Sequence, residues 1–184
     1  EKINNLIIVG AMANNFLVYK NLKVGKSLVE NNTKKIIEKI YKKAKENNCE
    51  IIIPEDCRVG TSFDGEGKIK NFDTIHDNEI ILDIGSNTIN KIKEKIDQSN
   101  TVLWNGPAGY FENRNFSHGT ISIAESISKK TLDGSLISVL GGGDTIAAIS
   151  KSKNKLSFSH LSTAGGAFLE YLEGKDLPGL SVLK

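Results

Sequence analysis

Ser135-Leu136-Ile137-Ser138-Val139-Leu140-Gly141-Gly142-Gly143-Asp144-Thr145-Ile146-Ala147-Ala148-Ile149 reads as a buried strand, a glycine turn and the opening of a helix. Leu136, Ile137, Val139 and Leu140 put apolar side chains on both faces of the strand, as a sheet covered on both sides requires. Glycine has no Cβ, so Gly141, Gly142 and Gly143 let the backbone turn sharply and lie against a ligand. The helix that follows starts with N–H groups that have no partner inside it, at the positive end of its dipole. A phosphate fits such a place. Asp144 has two readings here: a cap for the helix, or a ligand for Mg²⁺ beside a polyphosphate.

The same unit recurs outward in both directions. Leu6 to Val9 is an apolar strand, Gly10 and Ala11 make a turn, and Met12 to Lys20 follows as a helix. Ile36, Ile37, Ile40, Tyr41 and Ala44 recur at helical spacing between Asn32 and Asn47, before a strand at Glu50 to Pro54. Cys57 to Val59 continues in extended form, and Asp64-Gly65 with Glu66-Gly67 suggests a hairpin. Glu79 to Ile84 is a strand, and Ser86 is placed to cap a helix carrying Ile89, Ile92 and Ile96. Thr101 to Trp104 is a strand ending in Asn105-Gly106-Pro107-Ala108-Gly109, and a helix with Ile121, Ala124 and Ile127 inward runs to Leu132. Downstream, Leu156 to Leu161 leads through Ser162-Thr163-Ala164-Gly165-Gly166-Ala167 into a helix from Phe168 to Leu172. Strand, turn and helix in alternation predict an α/β fold, a three-layer, doubly wound parallel sheet of Rossmann-like form. Ligands of such sheets bind beyond the carboxyl ends of the strands. Gly10, Gly106, Gly109, Gly141 to Gly143, Gly165 and Gly166 are therefore expected to share one rim.

The 184 residues suit one domain with a real core, and 39% hydrophobic content excludes a largely disordered chain. A net charge of +2 implies no broad attraction to nucleic acid or a membrane surface. The lysines around Lys34 to Lys43 read as a solvated helix face. Cys49 and Cys57 have no further cysteine or histidine pair to complete a zinc site, and read as reduced thiols of a cytoplasmic protein. No signal peptide or membrane span is visible.

Several familiar chemistries drop out. Gly25-Lys26-Ser27 looks like a P-loop ending, but the required earlier glycine is Lys20. Gly141 and Gly143 lack the third glycine of a dinucleotide fingerprint, which falls at Ile146, so a dehydrogenase reading is weak. No serine sits in a nucleophile elbow, and His76, His118 and His160 stand apart without a partner at useful spacing. Glu112 reads either as an acceptor for ribose hydroxyls or as a helix cap facing water, and Phe63 as a loop anchor or a ligand contact. Many anion-binding turns without an evident base fit phosphoryl transfer, which needs positioned N–H groups, a metal and cations rather than covalent chemistry. A nucleotide-sensing module without activity is the alternative from another class.

Trp104 to Glu112, Gly141 to Thr145, Ser162 to Ala167 with Leu169-Glu170 and Glu173-Gly174-Lys175, Met12-Ala13-Asn14 with Phe16-Leu17, and Leu82 to Gly85 together resemble phosphoglycerate kinase. The match runs in order along essentially the whole chain. It covers the carboxyl-terminal, nucleotide-binding domain of that two-domain enzyme, without the domain's first strand–helix unit and without the amino-terminal 3-phosphoglycerate-binding domain. The resemblance implies reversible phosphoryl transfer from 1,3-bisphosphoglycerate to ADP, giving 3-phosphoglycerate and ATP in glycolysis, with a fragment of this extent inactive alone. It implies Mg²⁺ with ADP or ATP as the bound group, no nucleic-acid or membrane partner, and a monomer at full length. By position, Asp144 would hold the metal, and Gly142, Gly143 and Thr145 would lie along the phosphates. Glu112 would take the ribose, with Asn105 and Pro107 on the same wall. Gly10, Ala11, Phe63 and Leu82 would flank the adenine, and Gly165 and Gly166 would aim N–H groups at the transferring phosphoryl. The family has glycine at Val9, Ala11 and Ala164, so a methyl at Ala11 narrows the adenine approach and one at Ala164 constrains the phosphoryl turn.

Overall fold

The computed structural model describes residues 3–182. Its parallel strands follow the expected alternation. β1 (Asn5–Ile7) leads into α1 (Gly10–Tyr19) and α2 (Lys34–Glu46), then returns as β2 (Glu50–Ile52), parallel to β1. Towards the carboxyl end, β6 (Thr101–Asn105), α4 (His118–Leu132), β7 (Ile137–Gly141), α5 (Gly143–Ile149) and β8 (His160–Ser162) form a second parallel sheet in the order β6-β7-β8. α6 (Gly166–Leu172) and α7 (Pro178–Ser181) follow.

The α/β class with parallel sheets and helices is as expected, but the strands do not form one continuous parallel sheet. Among the described residues they hydrogen-bond in three groups, and the middle one is antiparallel. There β3 (Cys57–Gly60) pairs with β4 (Lys68–Lys70) on one edge and β5 (Ile80–Ile84) on the other. A parallel partner needs a crossover, normally a helix, to carry the chain back. Between β3 and β5 the chain has only the expected hairpin, β4 and one short 3₁₀ turn at Phe72–Thr74, so the strand turns back antiparallel. The register slips between Arg58↔Asp83 and Val59↔Ile81, leaving Leu82 as the extra residue of a β-bulge. The bulge breaks the in-out alternation, and Leu82, Asp83 and Ile84 are all buried in succession.

The largest core lies where α3 (Ser86–Asp97) and α4 pack on the second parallel sheet. Ile89, Ile92 and Ile96 meet Ile123, Ala124 and Ile127, and Trp104 and Leu140 come from the strands. The inward residue of the first part of α4 is Ile123 rather than the expected Ile121, which is only partly buried. Two smaller clusters centre on Leu17, Val59 and Phe72, and on Phe16 and Ile37. The extended run expected from Leu156 is a strand only over β8, while Leu156 and Phe158 pack against the main core.

Two helices take their N-terminal acceptors from distant carboxylates. Ser86, expected as the cap of α3, lies inside its first turn, and Gly85 holds the cap position. The acceptor is Asp56, whose oxygens receive Asn87 N at 3.0 Å, Thr88 N at 2.8 Å and Thr88 Oγ1 at 2.7 Å. Asp83 does the same for α4, with Oδ2 accepting Gly119 N at 2.8 Å. No helix among the described residues is long and apolar enough to cross a membrane.

Candidate functional site

The carboxyl ends of β6, β7 and β8 lie in register, with Asn105 opposite Gly141 and Gly141 opposite Ser162. The turns leaving them must therefore sit side by side, and short bonds lace them together. Gly142 N donates to Ser162 O at 3.0 Å, and Asn105 Nδ2 reaches Gly165 O at 3.5 Å. Thr145, fully buried, donates Oγ1–H to Gly141 O and accepts Gly106 N on the same oxygen, each at 2.7 Å. Gly142 has φ +96°, and a Cβ there would stand 2.7 Å from Asn105 Oδ1, so both its conformation and its neighbour demand glycine. Gly10, where β1 passes into α1, joins the group: a Cβ on it would lie 3.1 Å from Pro107 O. The glycine turns do share one rim.

Beside that rim lies a cavity of about 630 Å³. Of the residues singled out from the sequence, Gly10, Ala11, Phe63, Leu82, Pro107, Glu112 and Asp144 line it. Asn105, Gly142, Gly143, Thr145, Gly165 and Gly166 do not. They form the laced turns next to it, and Thr145 spends its hydroxyl on backbone, leaving only its main chain to meet a ligand. One wall of the cavity is the α1 face of Gly10, Ala13, Asn14 and Leu17, and the opposite wall is β5. Because Leu82 is bulged, its carbonyl is free to accept Tyr110 N at 2.7 Å, which ties the Pro107–Glu112 turn to β5.

Phe63 is 47% exposed and packs on Tyr110, ring centroids 4.8 Å apart. Its loop is held by Asn113 Nδ2, which donates to Phe63 O at 2.8 Å and Gly65 O at 3.3 Å. The aromatic pair is thus presented at the mouth on a fastened loop. Lys26, set aside with the P-loop reading, also lines the cavity, its Nζ donating to Thr61 O at 3.2 Å. Lys151 went unnoticed in the sequence because nothing local marks it. Its Nζ donates to Phe111 O at 3.0 Å and Glu112 O at 3.4 Å, and sits 5.0 Å from the centre of the Phe111 ring.

Burial governs the titration of the cavity wall. Asp83 is pushed up to about 7 by desolvation, against the pull of the Gly119 and Ile84 N–H donors and of Arg58. Cys57, also buried, is pushed up to about 12, so its thiol is unreactive at neutral pH. The carboxylates of Glu112 and Asp144 are exposed, and neither has a hydrogen-bond or salt-bridge partner among the described residues.

No group of three or more His, Cys, Asp or Glu side chains suited to a metal ion occurs among the described residues. That donor set does not fit a resident metal. It does fit Mg²⁺ arriving with a polyphosphate, which keeps most of its waters and takes one or two carboxylates besides the phosphate oxygens. Two exposed carboxylates line the cavity, Asp144 in the first turn of α5 and Glu112.

The phosphoglycerate kinase family matches residues 1–175. A phosphoglycerate kinase of Xanthobacter autotrophicus is 44% identical over 186 residues, covering 100% of this chain and 47% of the relative. That of Bartonella tribocorum is 43% identical over 185 residues, with the same coverage. The solved structure of phosphoglycerate kinase from Coxiella burnetii superposes with a TM-score of 0.89 at 41% identity, over 99% of this chain and 46% of that one. The enzyme from Pyrococcus horikoshii gives 0.74 at 28% identity. The chain spans about half the length of the relatives it matches.

Proposed function

The chain belongs to the phosphoglycerate kinase family, and from that premise we propose that it forms the carboxyl-terminal, nucleotide-binding half of such an enzyme. The reaction is reversible phosphoryl transfer from 1,3-bisphosphoglycerate to ADP. In this reading residues 1–184 hold the nucleotide and the other half holds phosphoglycerate. The observation that carries it is the convergence of Gly10, Ala11, Phe63, Leu82, Pro107, Glu112 and Asp144 on one cavity bordered by the laced glycine turns.

The division of labour follows from chemistry. Gly10, Ala11, Leu82 and Phe63 supply an apolar slot with an aromatic edge for a flat base. Glu112 offers two acceptor oxygens to ribose hydroxyls, with Pro107 along the same wall and Asn105 in the laced turns beside it. Gly143 and the backbone of Thr145 bring N–H groups to the phosphates, while Gly142, whose own N–H is given to Ser162 O, forms the turn that lets them approach. Asp144 would hold Mg²⁺, which would supply charge neutralisation on the transferring phosphoryl group. Gly165 and Gly166 present the N–H groups at the start of α6 to the same group. No covalent partner is needed, because positioning and charge stabilisation carry phosphoryl transfer.

Isothermal titration of ADP with and without Mg²⁺ tests this. The chain binds ADP, Mg²⁺ tightens binding, and Asp144→Asn removes most of the Mg²⁺-dependent gain while leaving metal-free binding nearly unchanged. Equal losses in both conditions would refute the metal role, and no ADP binding would refute the nucleotide reading itself.

A further inference from the structure

We propose that Lys151 is a positioning residue, which fixes the Glu112 turn to the helix bearing Asp144 and so sets the separation of the two ends of the nucleotide site. This rests on the nucleotide reading above. Three observations carry it. The Lys151 ammonium spends its hydrogen bonds on two successive carbonyls, Phe111 O and Glu112 O. It sits over the buried Phe111 ring, 5.0 Å from its centre, which adds a cation–π contact to the carbonyl bonds. It pairs with no carboxylate among the described residues. A cation bonded to two consecutive carbonyls fixes the path of the main chain there, and with it the origin of the Glu112 side chain, whose own carboxylate stays free.

The other end of the connection is rigid. Lys151 follows the C-cap Ser150 of α5, its N–H bonded to Ala148 O at 3.2 Å. Ala148 and Ile149 are buried, and Ile149 belongs to the main core. Asp144 lies seven residues earlier, in the first turn of α5. α5 is thus a strut with a free carboxylate near its start and a cationic clamp in the turn just beyond its end. Without the clamp, Glu112 keeps its chemistry but loses its fixed place relative to the phosphate end.

The test separates that role from a general loss of structure. ADP and 2′,3′-dideoxy-ADP, which lacks the ribose hydroxyls, are titrated against the wild-type chain, Lys151→Met, Lys151→Arg and Glu112→Gln. Wild type prefers ADP by about tenfold, the worth of hydrogen bonds to a charged acceptor. Lys151→Met loses most of that preference by weakening ADP alone, and Lys151→Arg restores part of it. A preference that survives in Lys151→Met, or an equal loss for both nucleotides, overturns the proposal. A preference unchanged in Glu112→Gln shows instead that the ribose assignment is wrong, and the proposal falls with it. Absence of ADP binding by the wild type overturns the nucleotide reading and the proposal together. Should Lys151→Met fail to fold, Lys151→Gln, which keeps neutral donors, takes its place under the same criteria.

Discussion

Replacing Thr145 by valine removes one oxygen atom and keeps the shape. That oxygen closes two hydrogen bonds of 2.7 Å, donating to Gly141 O and accepting from Gly106 N, in a side chain with no solvent exposure. Each bond is worth about 1 kcal/mol net, and a donor left without an acceptor adds to the loss, so Thr145→Val costs about 2–3 kcal/mol. Thr145→Ser keeps the oxygen and gives up a buried methyl, at about 1 kcal/mol. For a chain of this size the valine variant melts about 4–12 °C lower. Urea denaturation followed by tryptophan fluorescence is well suited, because Trp104 donates Nε1–H to Gly106 O at 2.6 Å and so reports on the same turn. The order expected is wild type, then serine, then valine, with unchanged m-values. A valine variant as stable as the serine one would show that the hydroxyl does not fasten the turns, and the lacing described here would be wrong.

Gly25→Ala is expected to cost about 2–4 kcal/mol, from a left-handed backbone and a steric clash together. Gly25 has φ +57°, and a Cβ would overlap the Glu79 carbonyl and stand 2.8 Å from His76 O. A urea midpoint within error of wild type would refute this. Asp83 makes stability depend on pH. Its folded value of about 7 lies above the ordinary 3.8, so the native state holds the extra proton between the two. Stability therefore falls as pH rises through that window and levels off above it. The stability difference between wild type and Asp83→Asn should shrink from pH 4.5 to 7 and then hold steady in urea titrations, and a difference independent of pH would contradict the assignment.

What was legible in the sequence was local. Apolar runs, glycine turns and helical spacing placed the parallel strands and their helices, and the shared rim followed from which end of a strand each turn leaves. The antiparallel middle sheet was harder, because a strand's letters do not state its direction; only the lack of a helix between β3 and β5 carries that information. The helix acceptors were invisible for a related reason. Asp56 and Asp83 act 31 and 36 residues away from the N–H groups they receive. Ser86 has the right chemistry in the right neighbourhood and still loses the role to a buried carboxylate. The backbone bonds of Thr145, a residue already singled out, and of Lys151 were hidden differently. Both side chains serve backbone atoms of the Asn105–Glu112 segment, and a bond to a carbonyl or an amide leaves no signature in the partner's side chain.

The slip at Leu82 has a consequence for how this region can change over generations. Because one surplus residue resets the phase of β5, substitutions there alter single contacts, whereas losing one residue between Ile81 and Asp83 would restore an ordinary ladder and rotate its neighbours by half a turn. Asp83 would swing away from the amide it serves at the head of α4, and Tyr110 N would lose the Leu82 carbonyl that receives it. Length in this segment is therefore held more tightly than spelling.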